Sequence, residues 1–256
     1  MIIDFPTVSQ IPQLRDLWQE AFGDSDAYLD NFFTRAFAPE RCLCALSDDR
    51  IVAAVYFFTC SCRGKKIAYL YALATAKDHR GCGIAHCLME QAHLYLEMEG
   101  FEGVVLVPGD RDLFRFYQAM GYETCSTVTE FVCSGAADEV QLRRIGTAEY
   151  AQQREELLSF LEEGAVIQRA ENLALLETQA TFYAGHNFLL AARREGSTLV
   201  GLELLGDAQW APGIVQTLGS ALGSFRTRGT GKPFAMYRPL GSSTLAAPTY
   251  FGLPFD

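Results

Sequence analysis

The stretch HRGCGIAHCLM, residues 79–89, constrains this chain more than any other. It sets Gly81 and Gly83 one residue apart, after the apolar run IAYLYALAT (67–75) and before a helical pattern that continues to about Met98. A strand that passes through a glycine turn into a helix leaves the first helical N–H groups unpaired at the positive end of the helix dipole. The natural guest of such a terminus is an anion, most often a phosphate.

Composition limits which phosphate and which chemistry. At 256 residues, 49% hydrophobic and 20% charged, the chain has material for two globular domains of ordinary size. No apolar run approaches the ~20 residues of a membrane span. The opening MIIDFPTVSQ has neither the basic nor the apolar region of a leader, so a cytoplasmic location is expected. A net charge of −10 argues against a general nucleic-acid binder, which needs a basic surplus, and mildly favours cationic small molecules or peptides. The eight cysteines include two C-x-C units, Cys42/Cys44 and Cys60/Cys62. If the DDR turn closes a hairpin around Asp49, Cys42 faces the neighbourhood of Tyr56 and Cys60 lies roughly four residues, or about 13 Å, further along, too far for a shared metal. Buried structural thiols and no metal are expected.

Along the chain, Ile11, Leu14, Leu17, Trp18 and Phe22 mark one helix face ended by Gly23. A second helix opens at Ser25 or Asp26, and a hairpin around Asp49 follows. After the glycine turn and its helix come a buried strand, GVVLVP (103–108), a short helix over RDLFRFYQAM stopped by Gly121, and strand pattern through 122–133. This order is mixed α/β. SGAADE (134–139) reads as a linker, after which strand, helices and hairpin recur. Two domains are expected, residues 1–135 and 140–256, as a duplicated fold without a residue-by-residue repeat.

Two phosphate loops are excluded by position. GTGKP (229–233) has Arg226 where a P-loop needs its first glycine and Pro233 where it needs Ser or Thr. The dinucleotide fingerprint needs a third glycine where His86 stands. What remains is R-x-x-G-x-A, carried by Arg80, Gly83 and Ala85, and here the sequence resembles the GNAT acetyltransferase superfamily, whose pyrophosphate loop is [QR]-x-x-G-x-[GA]. LFRFYQAMGYE is similar to that family's later F-Y-x-x-x-G-[FY] motif. The resemblance covers residues 1 to about 133 and implies a central mixed, mostly antiparallel sheet flanked by helices.

It also implies acetyl-CoA as co-substrate and transfer of the acetyl group to a primary amine of a small molecule or peptide. The N–H groups from Arg80 through Gly81, Cys82, Gly83, Ile84 and Ala85 would cradle the pyrophosphate, with glycines removing the Cβ atoms that block approach. Leu73, Ala74 and Thr75 would bond the pantetheine arm, and the N–H of Leu73 would hold the oxyanion. Tyr117 is the candidate general acid for the departing thiolate. Phe116 and Tyr122 are expected in the core, and Cys82 is not expected to be catalytic.

No general base announces itself. Tyr69, Tyr71 and water are candidates, Asp78 and His79 lie at the phosphate end, and His86 and His93 read as surface or packing residues. The second half has no R-x-x-G-x-[GA] loop, and GIVQTLGSALGSFRTRGTGKPFAMYRPL shows no strand, loop and helix order. It is expected to be a degenerate GNAT-like domain that walls the acceptor site. The layout resembles, distantly, the enhanced intracellular survival (Eis) type of acetyltransferase, whose chain terminus reaches the active site. Asp256 is therefore a candidate base, against a tail that merely caps the second core through Phe251 and Phe255. An acyl-CoA-binding sensor and an aminoacyl-tRNA-dependent transferase are the other function classes. No motif speaks to the acceptor's identity or to the oligomeric state.

Overall fold

The computed structural model describes residues 1–136 and 138–255. Contacts divide the chain into two units: Met1–Glu123 with Met236–Ala247, and Thr124–Ala235 with Pro248–Asp256.

The first unit begins with β1 (Ile2–Asp4), α1 (Ile11–Phe22) and α2 (Asp26–Arg35). Helix α1 buries Leu14, Leu17 and Trp18 and stops at Gly23, which takes the left-handed φ of 73° that suits a glycine C-cap. Ser25 caps α2 by accepting the N–H of Tyr28. Strands β2 (Cys42–Ser47) and β3 (Arg50–Cys62) form the expected hairpin, turning through Asp48 and Asp49 at φ 49° and 61°. Cys42 pairs with Tyr56 after a register shift between Ala45 and Leu46. Burial pushes the Cys42 thiol up and the Cys44 thiol up to about 12, so these sulfurs stay protonated.

Strand β4 (Lys65–Thr75) runs antiparallel to β3, and α3 (Ile84–Met98) crosses to β5 (Gly103–Leu106), which lies parallel to β4. Helix α4 (Arg111–Gln118) follows, its first turn capped by Asp110, whose carboxylate accepts the N–H groups of Asp112 and Leu113. The core lies between the sheet and the α3 and α4 side, with Leu88, Ala92, Leu96, Val104 and Ala68 fully buried.

The second unit contains β6 (Glu123–Ser134), β7 (Leu142–Ile145), α5 (Thr147–Leu161), α6 (Ala170–Leu173) and β8 (Thr181–Gly185). It continues through β9 (Phe188–Glu195), β10 (Thr198–Gly206), α7 (Ala211–Thr217), β11 (Leu222–Arg228) and the start of β12 (Lys232–Pro239), whose residues 236–239 belong to the first unit. Strands β7 to β10 pair antiparallel in sequence, and α7 crosses from β10 to the parallel β11. The first unit has the same pattern: β1 to β4 antiparallel, then α3 crossing to the parallel β5. The duplication absent from residue identities is therefore present in topology.

The units differ from a division at 134–139 by the strand that follows each crossover. Beside β5 lie residues 236–239 of β12, paired as Met236 with Leu106 and Pro239 with Gly103. Beside β11 lies β6, with Phe225 opposite Phe131. Each unit thus takes the strand at this place from the other half of the chain.

The tail of the chain docks on the second unit. Val166 donates its N–H to the Tyr250 carbonyl, Gln168 to that of Leu253, and Phe251, Leu253 and Phe255 are fully buried. Tyr250 also donates to Glu203, which a buried bidentate pair ties to Arg154 at 2.7 and 2.9 Å. Asp256 lies outside the described residues.

Candidate active site

The glycine turn has the form the sequence demanded. After Thr75 a short 3-10 turn over Lys77–His79 leads to Arg80, and Gly81 and Gly83 both take φ 77°. That region is strained for L side chains, and a Cβ at either position would meet nothing within 4 Å, so both glycines border open space. Gly83 is the N-cap of the fifteen-residue α3, and no side chain caps this end. The first intrahelical bond runs from Cys87 to the Gly83 carbonyl. The N–H groups of Ile84, Ala85 and His86 precede it, available to an anion.

Three ties fix the loop. The Lys77 N–H donates to Glu20 at 2.7 Å, Arg50 pairs with Asp78 at 2.8 Å, and Arg80 Nε donates to the Thr75 carbonyl at 2.9 Å. Hydrogen bonds from His79 and then Arg50 hold the exposed Asp78 carboxyl down to about 2. The Arg80 guanidinium thus braces the turn, and Thr75's carbonyl is already engaged. Cys82 is exposed, while Ile84 anchors the helix start in the core.

Strand β4 is irregular where the resemblance places the thioester. Tyr56 of β3 faces Tyr71, but Ala54 faces Ala74, so three steps along β4 match two along β3. The bulge carries Ala72 at φ 51°, a left-handed conformation that no glycine announces. Towards β5, the pairing of β4 ends at Tyr69 opposite Val105. Beyond it, the side of β4 that faced β5, including Leu73, Ala74 and Thr75, has no pairing to β5 and forms an edge that an extended amide-rich arm can join.

Tyr117 stands on α4, 8% exposed, with its ring edge-on to Phe116 at 5.1 Å and to Tyr122 at 5.7 Å. Leu73 and Phe116 pack against the hydrophobic cluster that contains Tyr117 and Tyr122. Among the described residues no group bonds the Tyr117 hydroxyl. Burial, then the negative charge of Asp110, pushes its phenol up to about 12, so it carries its proton throughout the neutral range. Of the candidate bases, Tyr69 is buried, and the Tyr71 hydroxyl lies 2.5 Å from that of Tyr28 within a group of rings that includes Trp18 and Phe32.

Of the two expectations for His93, surface or packing, the structure shows packing: it is 5% exposed and hydrogen-bonded to both Tyr122 and Arg238. Two other contributors escaped the sequence reading. Ala72 has no local signal, and Arg50 is 28 residues from its partner Asp78.

The second unit keeps the crossover but not the open strand edge beside it. Its strand, turn and helix order lies at 198–217 and so begins upstream of the stretch GIVQTLGSALGSFRTRGTGKPFAMYRPL, which starts at Gly213 within α7. Pairing of β10 with β11 resumes past the β10 bulge, Leu204 opposite Thr227, so this edge is zipped. The Asp207 carboxylate accepts the Gln209 N–H where an anion would sit, and α7 has only seven residues. Between β11 and β12 stand only residues 229–231, so no counterpart of α4 lies there.

The acetyltransferase (GNAT) domain family matches residues 3–125. This segment belongs to the GNAT acetyltransferases. The fold likeness extends over most of the chain. A GCN5-related N-acetyltransferase from Kribbella flavida superposes with TM-score 0.72 at 18% identity, covering 93% of this chain and 70% of its own. One from Anabaena variabilis gives 0.70 at 14%, covering 93% and 72%. Eis1 from Mycobacterium abscessus gives 0.66 at 11%, covering 93% and 74%. No curated protein matches the sequence. Within this GNAT fold the glycine turn, the β4 bulge and Tyr117 all lie in the matched segment. Among the described residues no group of three or more His, Cys, Asp or Glu is placed to hold a metal. None of their helices is long and apolar enough to cross a membrane.

Proposed function

We propose that the chain transfers the acetyl group of acetyl-CoA to a primary amine of a small molecule or peptide, in the cytoplasm, with one cofactor site per chain. The observation that carries this reading is the uncapped α3 terminus behind two left-handed glycines, in line with the unpaired edge of β4. In this reading the N–H groups of residues 80–85 hold the pyrophosphate, and Leu73, Ala74 and Thr75 bond the pantetheine arm. The Leu73 N–H, next to the bulge at Ala72, bonds the thioester oxygen as it becomes an oxyanion.

The amine lone pair attacks the carbonyl carbon, and the C–S bond of the tetrahedral intermediate then breaks. Tyr117 donates its proton to the departing sulfur. A phenol held up to about 12 cannot remain as phenolate beside a free thiol of pKa ~8.5, a gap of three to four units or roughly 5 kcal/mol. The proton shed by the attacking nitrogen must therefore reach the phenol as the phenol's own proton reaches sulfur. Asp256, the candidate base at the chain terminus, lies outside the described residues, and the scheme uses no metal.

Calorimetric titration of acetyl-CoA, followed by thiol release across a panel of amines, polyamines, aminoglycosides and peptide N-termini, tests the reading. Gly83→Val sets a branched side chain at φ 77° against the pyrophosphate and should raise Kd at least tenfold, about 1.4 kcal/mol. A folded Gly83→Val protein with unchanged affinity overturns the assignment of the loop.

A further inference from the structure

The Tyr117 hydroxyl has no hydrogen-bond partner among the described residues, so its position depends on packing and on the register of α4. That register is fixed at the helix exit. The Tyr117 carbonyl accepts both the Met120 N–H at 2.9 Å and the Tyr122 N–H at 3.1 Å. Gly121 between them takes φ 82°. The Met120 carbonyl accepts Nη1 of Arg238 at 2.8 Å, and the same Nη1 lies 2.9 Å from Nδ1 of His93. On the other side of the imidazole, Nε2 lies 2.6 Å from the buried Tyr122 hydroxyl.

The donors in this chain of contacts can be assigned. A guanidinium only donates, so Nδ1 accepts and is unprotonated. The neutral ring then carries its hydrogen on Nε2 and donates it to Tyr122. Burial, then the charges of Arg238 and His86, pushes His93 down to about 3, which agrees with a neutral ring. Arg238 itself is held in β12 opposite Val104 of β5.

We propose that Arg238 and His93 are positioning residues for Tyr117: a clamp from β12 through α3 to the exit of α4 that sets where the proton donor stands. The clamp rests on the reading of Tyr117 as the acid. Arg238 fixes the α4 exit through Met120, and His93 fixes Tyr122, whose ring is the edge-on neighbour of Tyr117. Neither touches substrate in this arrangement. The residue that locates the donor thus comes from a strand 121 positions later in the chain.

The test compares His93→Leu, His93→Gln and Arg238→Met. Glutamine reproduces the hydrogen-bond pattern, its carbonyl accepting from Arg238 and its amide donating to Tyr122, whereas leucine does neither. His93→Leu and Arg238→Met should lower kcat about tenfold with acetyl-CoA Kd within twofold, and His93→Gln should restore kcat to within threefold of wild type. In a Tyr117→Phe background, His93→Leu should have no further effect on kcat. Equal turnover in the Gln and Leu variants, or full additivity with Tyr117→Phe, overturns the clamp. Tyr117→Phe alone distinguishes failure of the underlying reading, since unchanged turnover there removes Tyr117 as acid. The clamp is then judged by ring resonances of labelled Tyr117, which should shift in His93→Leu and not in His93→Gln; unshifted resonances in both overturn it. If Arg238→Met does not fold, the two His93 variants carry the test.

Discussion

A phenol whose oxygen has no hydrogen-bond partner among the described residues adds little to stability through its hydroxyl. Tyr117 is 8% exposed and its hydroxyl bonds none of the described residues, so Tyr117→Phe should leave folding and acetyl-CoA affinity nearly unchanged. Turnover in a thiol-release assay should fall about 10²-fold, the scale of general-acid losses. Because the phenol lies up at about 12, it supplies no alkaline limb to the rate profile below that pH. His93 makes the converse case, a titratable group held for structure. Its native pKa of about 3 lies below the ordinary histidine value, so between pH 6.5 and 3 the unfolded state binds a proton that the native state does not. Its contribution to stability is complete above about pH 6.5 and is lost as pH falls through that window, by about 1.4 kcal/mol per pH unit. Urea unfolding of wild type and His93→Gln from pH 7 to 4 should show a steeper loss in wild type, and parallel curves would refute the assignment.

Local signals decided the elements that are local in cause. Gly23 and Ser25 end and begin helices by caps that their own residue types provide, and the DDR turn placed the β2–β3 hairpin, whose register a bulge between Ala45 and Leu46 then shifts by one residue. The glycine turn was legible for the same reason, since φ 77° at Gly81 and Gly83 is what glycine is chosen for. The bulge of β4 was not, because its left-handed residue is alanine and the neighbouring alternation still reads as a plain strand. A left-handed alanine costs about 1–2 kcal/mol, and a β-branched side chain there costs more. Ala72→Ile should therefore destabilise the first unit by about 1–3 kcal/mol and weaken acetyl-CoA binding, whereas Ala72→Gly should match or slightly exceed wild-type stability. Denaturant midpoints that rank Ile with Gly would show that the strain is not at Ala72.

At the scale of the chain, pairing between distant segments decides the units, and no local pattern records it. A linker composition at 134–139 is visible in the sequence, and cutting there looks like a separation of two domains. Yet β5 finds its second neighbour in residues 236–239, and Met236 and Leu240, at 0% and 4% exposure, belong to the core that also holds Tyr117. A fragment of residues 1–135 loses that strand, two buried side chains worth about 1.5–3 kcal/mol each, and Arg238 with its hold on Met120 and His93. The sum rivals the 5–15 kcal/mol that stabilises an ordinary domain. The fragment should therefore unfold without a cooperative transition and fail to bind acetyl-CoA, although it contains every residue assigned to the cofactor. Joining residues 232–247 to its end through a flexible glycine-serine linker should restore both the transition and binding to within about tenfold of the full chain. A 1–135 fragment that melts cooperatively and binds acetyl-CoA as the full chain does would show instead that the first unit stands without its borrowed strand.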